Sequence, residues 1–440
     1  MDRGPRVFWE ETMPLPHDSR RSPGDSSLRR SLFCLAVCCL AVGAWLQLRM
    51  VARINPAARS DLYSPWAGTR AALHGTDPYS VGVTEQIQKD IYGHVLQPTE
   101  TWDRQAFVYP AYILFLLGPF TWLPWRVVDV IFAVLAPIAL AGTVGAWMRV
   151  CAWNSDRFKT LIVLALILAS WPAAWGYYQR QPSLFVAAAI AFSVLLFQRE
   201  SDVAAGILLA LATVKPQLVV LIAAWLLVLA VAHRRWRFVS AFGLTVAVLV
   251  AGSLAIVPGW IPHWIHASLA YSHYPAKISM LVFFFGRAAG TAAAIALAIV
   301  LCVKLWKVGA VPPRAIEFGH ATALVLAVTV CIMPENPWLV FNTLLLIPAI
   351  FVLFGQRSKT ALAGVLRSIA GLAIGIAFLA TPLCAAAGMR MGVSLTLVMP
   401  PFLLGYLVPI PVTAALLFLK SGDRRLDPHS APVTAAETIG

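Results

Sequence analysis

Long apolar runs, broken by short polar loops, constrain this chain more than any other feature. They lie roughly at 31–49, 108–123, 127–148, 160–177, 183–198, 203–214, 216–232, 237–257, 280–303, 318–333, 338–355, 361–385 and 395–418. They are continuous rather than alternating, so they do not read as barrel strands. In lipid every backbone N–H and C=O needs a partner within the fold, which leaves helices. Charged residues make up only 12% of the chain, about half the ~25% of a soluble domain. The expected fold class is an all-α polytopic membrane protein. Several runs fall short of the ~20 residues that a straight span needs, so segment lengths predict roughly 11–13 transmembrane or re-entrant helices.

Residues 1–30 are polar, contain Pro and Arg, and lack periodicity. They read as a disordered cytoplasmic tail rather than a cleaved leader. The membrane domain then runs over 31–419, and 420–440 form a second cytoplasmic tail. The net charge is +14. Its basic residues cluster in short loops, as at Arg29-Arg30, His233-Arg234-Arg235-Trp236-Arg237 and Arg424-Arg425, which is the pattern that holds loops in the cytoplasm. No basic patch interleaved with aromatics sits on a soluble domain, so nucleic acid is not an expected partner. The seven cysteines lie mostly in apolar runs and form no CxxC pair or zinc spacing.

The N-terminal arginines place 50–106 outside, as the first long outer loop of a multi-pass cell-membrane protein with both termini cytoplasmic. One conflict arises. Arg149, Arg157 and Lys159 also require the cytoplasm, which leaves one segment too many between 108 and 160. The run 108–123 is short and holds Pro110 and Pro119, so it is expected to be re-entrant or half-buried. Loop 258–279, rich in Trp, Tyr and His, reads as an aromatic segment lying on the outer surface.

Four polar constellations then fall at the outer helix ends: Asp61 with Arg70, His74, Asp77 and Tyr79; Gln179-Arg180-Gln181-Pro182-Ser183; Lys215-Pro216-Gln217; and Glu335-Asn336-Pro337-Trp338 with Asn342. Convergence on one side predicts one cavity. Its chemistry suits glycosyl transfer from a lipid phosphate. A hydroxyl acceptor needs a carboxylate base, and Asp61 supplies one. The departing phosphate needs a cation, and Lys215 supplies that.

The ordered set Asp61-Leu62-Tyr63, Arg70, Gly75-Thr76-Asp77-Pro78-Tyr79, Phe107-Val108-Tyr109-Pro110, Gln181-Pro182-Ser183, Gly206 and Lys215-Pro216-Gln217 resembles glycosyltransferase family 87 over roughly 55–355. That resemblance implies the GT-C membrane fold and a polyprenyl-phosphate sugar donor, mannose above all. It implies a lipid or glycan acceptor and an inverting single displacement on the outer face, with Asp61 as base. It adds Lys215, Gln181, Gln217, Arg70, Tyr63, Tyr109, Trp338 and Asn342 as donor- or acceptor-binding candidates. No cofactor and no metal are expected, and membrane lipids are the remaining partners. The chain departs from the family pattern in three places. It has Ala111 after Tyr109-Pro110 where the pattern has a second Pro, Arg180 where the pattern has Gly, and Asn342 where a His often follows the late Trp.

Plainer roles compete at each position. Asp61 could cap a helix, Lys215 could snorkel, and Gln181 could satisfy a helix end. Asp77 reads as a turn residue. His263, His266 and His273 read as interfacial residues rather than metal ligands. A transporter or flippase is the competing function. It should carry charges at the midplane and show repeat symmetry, whereas these polar residues sit at helix ends and no repeat is visible. No P-loop or Rossmann fingerprint is present, which argues against a nucleotide-sugar donor.

Overall fold

A computed structural model describes residues 60–100, 103–272, 278–308, 312–313, 316–335, 340–355, 361–380 and 407–419. The two tails, the run at 31–49 and Trp338 lie outside the described residues. What is described is almost entirely helical: an all-α polytopic membrane protein, with one two-residue antiparallel pairing of Ile278–Ser279 with Pro334–Glu335.

Two polar helices come first, α1 (Tyr63–Leu73) and α2 (Val81–Tyr92). Ser80 caps α2 by accepting from the Val83 N–H, and Gly93 ends it at φ 82°. The run Ala111–Phe120 is a broken 3-10/α/3-10 stretch around α3 (Leu114–Leu117). It does not cross the bundle. At its start the Tyr112 hydroxyl donates to the Thr213 carbonyl oxygen. At its end the Phe120 carbonyl accepts from Trp66 Nε1 of α1. Both ends therefore stay at the same end of the bundle.

The first long span is α4 (Trp125–Val150), about 39 Å at 1.5 Å per residue. Next come α5 (Arg157–Leu168) and α6 (Trp171–Tyr178), bent by 49° at their junction. Pro172 explains the bend: it lacks an N–H and its ring crowds the carbonyl four residues back. Ser170 caps the new start by accepting from the Ala173 N–H. The chain then shuttles through α7 (Ser183–Gln198), α8 (Asp202–Ala212), α9 (Pro216–Ala232) and α10 (Trp236–Ile256) before α11 (Trp260–Ser272). A Cβ on Gly206 of α8 would lie 2.7 Å from the Phe238 carbonyl oxygen of α10, so the glycine sets that close approach. After α12 (Met280–Phe285) and α13 (Arg287–Val308), the interior helix α14 (Ile316–Ile332) is buried at every position from Phe318 to Cys331. The last helices are α15 (Ile347–Gly355), α16 (Ala361–Gly375) and α17 (Pro409–Phe418).

Among the described residues four helices are long and apolar enough to span a membrane, or five spans if α5 and α6 form one. Their exposed faces are apolar stripes at helical spacing: Val127, Val130, Val134 and Ile138 on α4, and Leu362, Val365, Ile369 and Leu372 on α16. Such stripes are stable against lipid, not water. The basic loops gather at the end of the bundle opposite Asp61. Gln198 donates to the Val150 carbonyl oxygen. Arg235 donates to the Phe197 carbonyl oxygen at 2.7 Å and pairs with Asp202.

Candidate active site

Three chain segments meet at the other end. The first is the entry to α1. Ser60 is buried, and the Asp61 N–H donates to the Gln179 carbonyl oxygen at 2.9 Å. The second is the turn between α6 and α7, and the third is the turn between α8 and α9, where Lys215 stands at the start of α9. Their side chains form one hydrogen-bonded row. Gln181 Nε2 donates to Asp61 Oδ2 at 2.5 Å. Lys215 Nζ donates to Gln181 Oε1 at 2.6 Å and to Ser183 Oγ at 2.8 Å. A carboxylate and an ammonium are thus joined through one amide, with Gln181 only 2% exposed.

Asp61 is not a helix cap: Leu62 holds that position, with no side-chain cap bond. Lys215 does not snorkel outward. Its ammonium lies 5.7 Å from the Tyr109 ring centroid and 5.9 Å from that of Phe341, within cation–π range. Burial holds the Tyr109 phenol well above its usual range, and the Asp61 charge adds to the shift. The ring therefore stays neutral beside the ammonium. Asn342 is buried next to Phe341, at the edge of this cluster.

Other expected site residues lie apart from the row. Tyr63 donates its hydroxyl to Asp90 Oδ2 at 2.7 Å and packs edge-on against Trp125, which ties α1 to α2 and α4. Burial, followed by the Asp90 hydrogen bond, raises its phenol pKa. Arg70 is exposed and stacks over Trp66 at 5.6 Å. It is seven residues along α1 from Tyr63, about 10 Å by helical rise. Gln217 is exposed in the first turn of α9. Among the described residues no group of three or more His, Cys, Asp or Glu is arranged to hold a metal.

The residue before Gln181 explains how the amide is held. Arg180 has φ 51°, in the left-handed region that favours glycine. The arginine side chain turns into the bundle instead. Its Nε lies 3.1 Å from Asp129 Oδ1, with the two side chains only 4% and 3% exposed. Further guanidinium bonds go to the carbonyl oxygens of Asp129 and Tyr177. Asp129 was not among the expected site residues. Its signal was a lone acid in the first turns of an apolar span, where an acid is paired or functional.

The family model of glycosyltransferase family 87 matches residues 107–341. The chain belongs to glycosyltransferase family 87. It is therefore a membrane glycosyltransferase. No curated protein and no solved structure matches the chain. The matched stretch contains Tyr109, Asp129, Arg180, Gln181, Lys215 and Phe341, while Asp61 precedes it. The geometry joins that acid to the family stretch.

Proposed function

We propose that this glycosyltransferase moves a hexose, mannose first, from a polyprenyl-phosphate sugar to a hydroxyl of a lipid or glycan acceptor. The observation that carries the reading is the Asp61–Gln181–Lys215 row. It sets a base and a cation at two ends of one short polar track. In a single displacement Asp61 takes the acceptor hydroxyl proton as the oxygen bonds to the anomeric carbon. The bond from that carbon to the phosphate oxygen breaks, and the electron pair leaves on the polyprenyl phosphate. Lys215 stabilises that departing charge. One attack on one carbon inverts its configuration. The surroundings suit a GT-C arrangement, with the site at one end of a helical bundle.

The basic loops at Arg157, Arg199 and Arg235 lie at the opposite end of the bundle, which supports an outer-facing site in the cell membrane by the positive-inside rule. The test is Asp61→Asn in membranes supplied with radiolabelled polyprenyl-phosphate mannose, glucose or arabinose. Loss of a general base should lower transfer by ~10²–10⁴ while the protein still inserts. Near-normal transfer by the variant would sink the assignment.

A further inference from the structure

A cavity of about 500 Å³ opens between the turn before α2 and the helix α11. Its volume falls in the ~300–1,000 Å³ range of small-molecule sites. Its polar lining comes from Asp77, Thr84, Arg104, His263 and His266, and small apolar residues such as Ala267 fill the gaps. The walls are braced. His263 Nδ1 lies 2.9 Å from Asp77 Oδ2, joining α11 to the turn. Trp264 Nε1 donates to the Val108 carbonyl oxygen at 3.1 Å. Tyr79, also in the lining, donates its hydroxyl to the Tyr109 carbonyl oxygen at 2.7 Å. The Tyr109 ring in turn faces the Lys215 ammonium. One segment, 107–110, therefore separates the cavity from the base–cation row and touches both.

The lining mixes a carboxylate, a hydroxyl, two imidazoles and a guanidinium with small apolar surface. Groups that donate beside groups that accept suit a ligand whose hydroxyls do both. Apolar patches suit the C–H faces of a sugar ring. A polyprenyl tail would leave these polar groups without partners, at a substantial desolvation cost. We propose that the cavity binds a sugar unit of a glycan acceptor, a residue or more away from the hydroxyl that reacts. This rests on the transfer reading above and names the acceptor class for it.

The test reads binding, not turnover. The full chain in a non-glycosidic detergent is titrated with octyl glycosides of mannose, glucose and galactose, from mono- to trisaccharides, and separately with a short-chain polyprenyl-phosphate mannose. Ala267→Trp and Thr84→Trp fill the cavity, and Thr84→Ala with His266→Ala strips polar groups without filling it. Wild type should bind at least one di- or trisaccharide, and each variant should weaken that binding by roughly tenfold or more, the equivalent of about 1.4 kcal/mol. The donor affinity should not move. If the Trp variants fail to fold, the Ala pair decides. Binding of none of the glycosides by wild type, unchanged affinity in folded variants, or a loss confined to the lipid phosphate would each overturn the proposal. Failure of wild type to transfer from any polyprenyl-phosphate hexose would instead sink the donor reading and leave the glycoside binding result standing.

Discussion

Arg180→Gly pits two effects of opposite sign against each other at one position. Glycine adopts φ 51° freely, which removes ~1–2 kcal/mol of left-handed strain. It also deletes the guanidinium from a pair whose side chains are 4% and 3% exposed. Removing one partner of a buried ion pair costs about 3–5 kcal/mol. The loss wins, leaving a net destabilisation of ~1–4 kcal/mol. The melting temperature in detergent should fall, on the order of 1–4 °C. Gln181 follows directly in the chain, so transfer should also slow at temperatures where the variant is still folded. Adding Asp129→Asn removes the buried charge and should recover more than half of both losses. Two results would refute this reasoning: a single variant as stable and active as wild type, or a double variant no better than the single.

Lys215→Ala should weaken binding of a non-hydrolysable polyprenyl-phosphate sugar and lower the transfer rate, whereas Lys215→Arg should keep part of each because charge survives but geometry does not; donor binding unchanged in the Ala variant would remove Lys215 from the phosphate site. In a background without native cysteines, cysteine at Thr84 or Gln217 should react with a membrane-impermeant thiol reagent in intact cells, and cysteine at Arg199 only after the membrane is opened. The reverse pattern would turn the protein over in the membrane.

The fold class was legible because lipid allows few solutions, and continuous apolar runs meet them only as helices. The break at 111–120 was legible too, since Pro110 and Pro119 cannot continue a straight helix. Within the site, Asp61, Gln181 and Lys215 could be flagged as polar residues at helix ends. Their joining could not, because it depends on three turns distant in sequence meeting at one end of the bundle. Tyr63 and Arg70 carry similar sequence signals, but Tyr63 bonds Asp90 and Arg70 stacks over Trp66, since a helix aims successive residues in different directions. Asp129 was hidden by its neighbours, which average it into an apolar window. The cavity under α11 was hidden for another reason: each of its residues is an ordinary turn or interfacial residue alone.

The length of α8 sets the depth at which the site works. Its 11 residues rise only about 16 Å, against a hydrocarbon core ~30 Å thick. One side of the helix, at Val203 and Ile207, is exposed and apolar, a surface suited to acyl chains. The bilayer beside α8 must thin, or Lys215 must sit below the headgroup level. In the proposed reaction the ammonium would then meet the donor phosphate near the acyl boundary rather than in bulk water. A lipid-borne donor then needs only to slide sideways and slightly inward, its tail never leaving the oily layer. A free sugar phosphate in solution, having no tail, would have no such route.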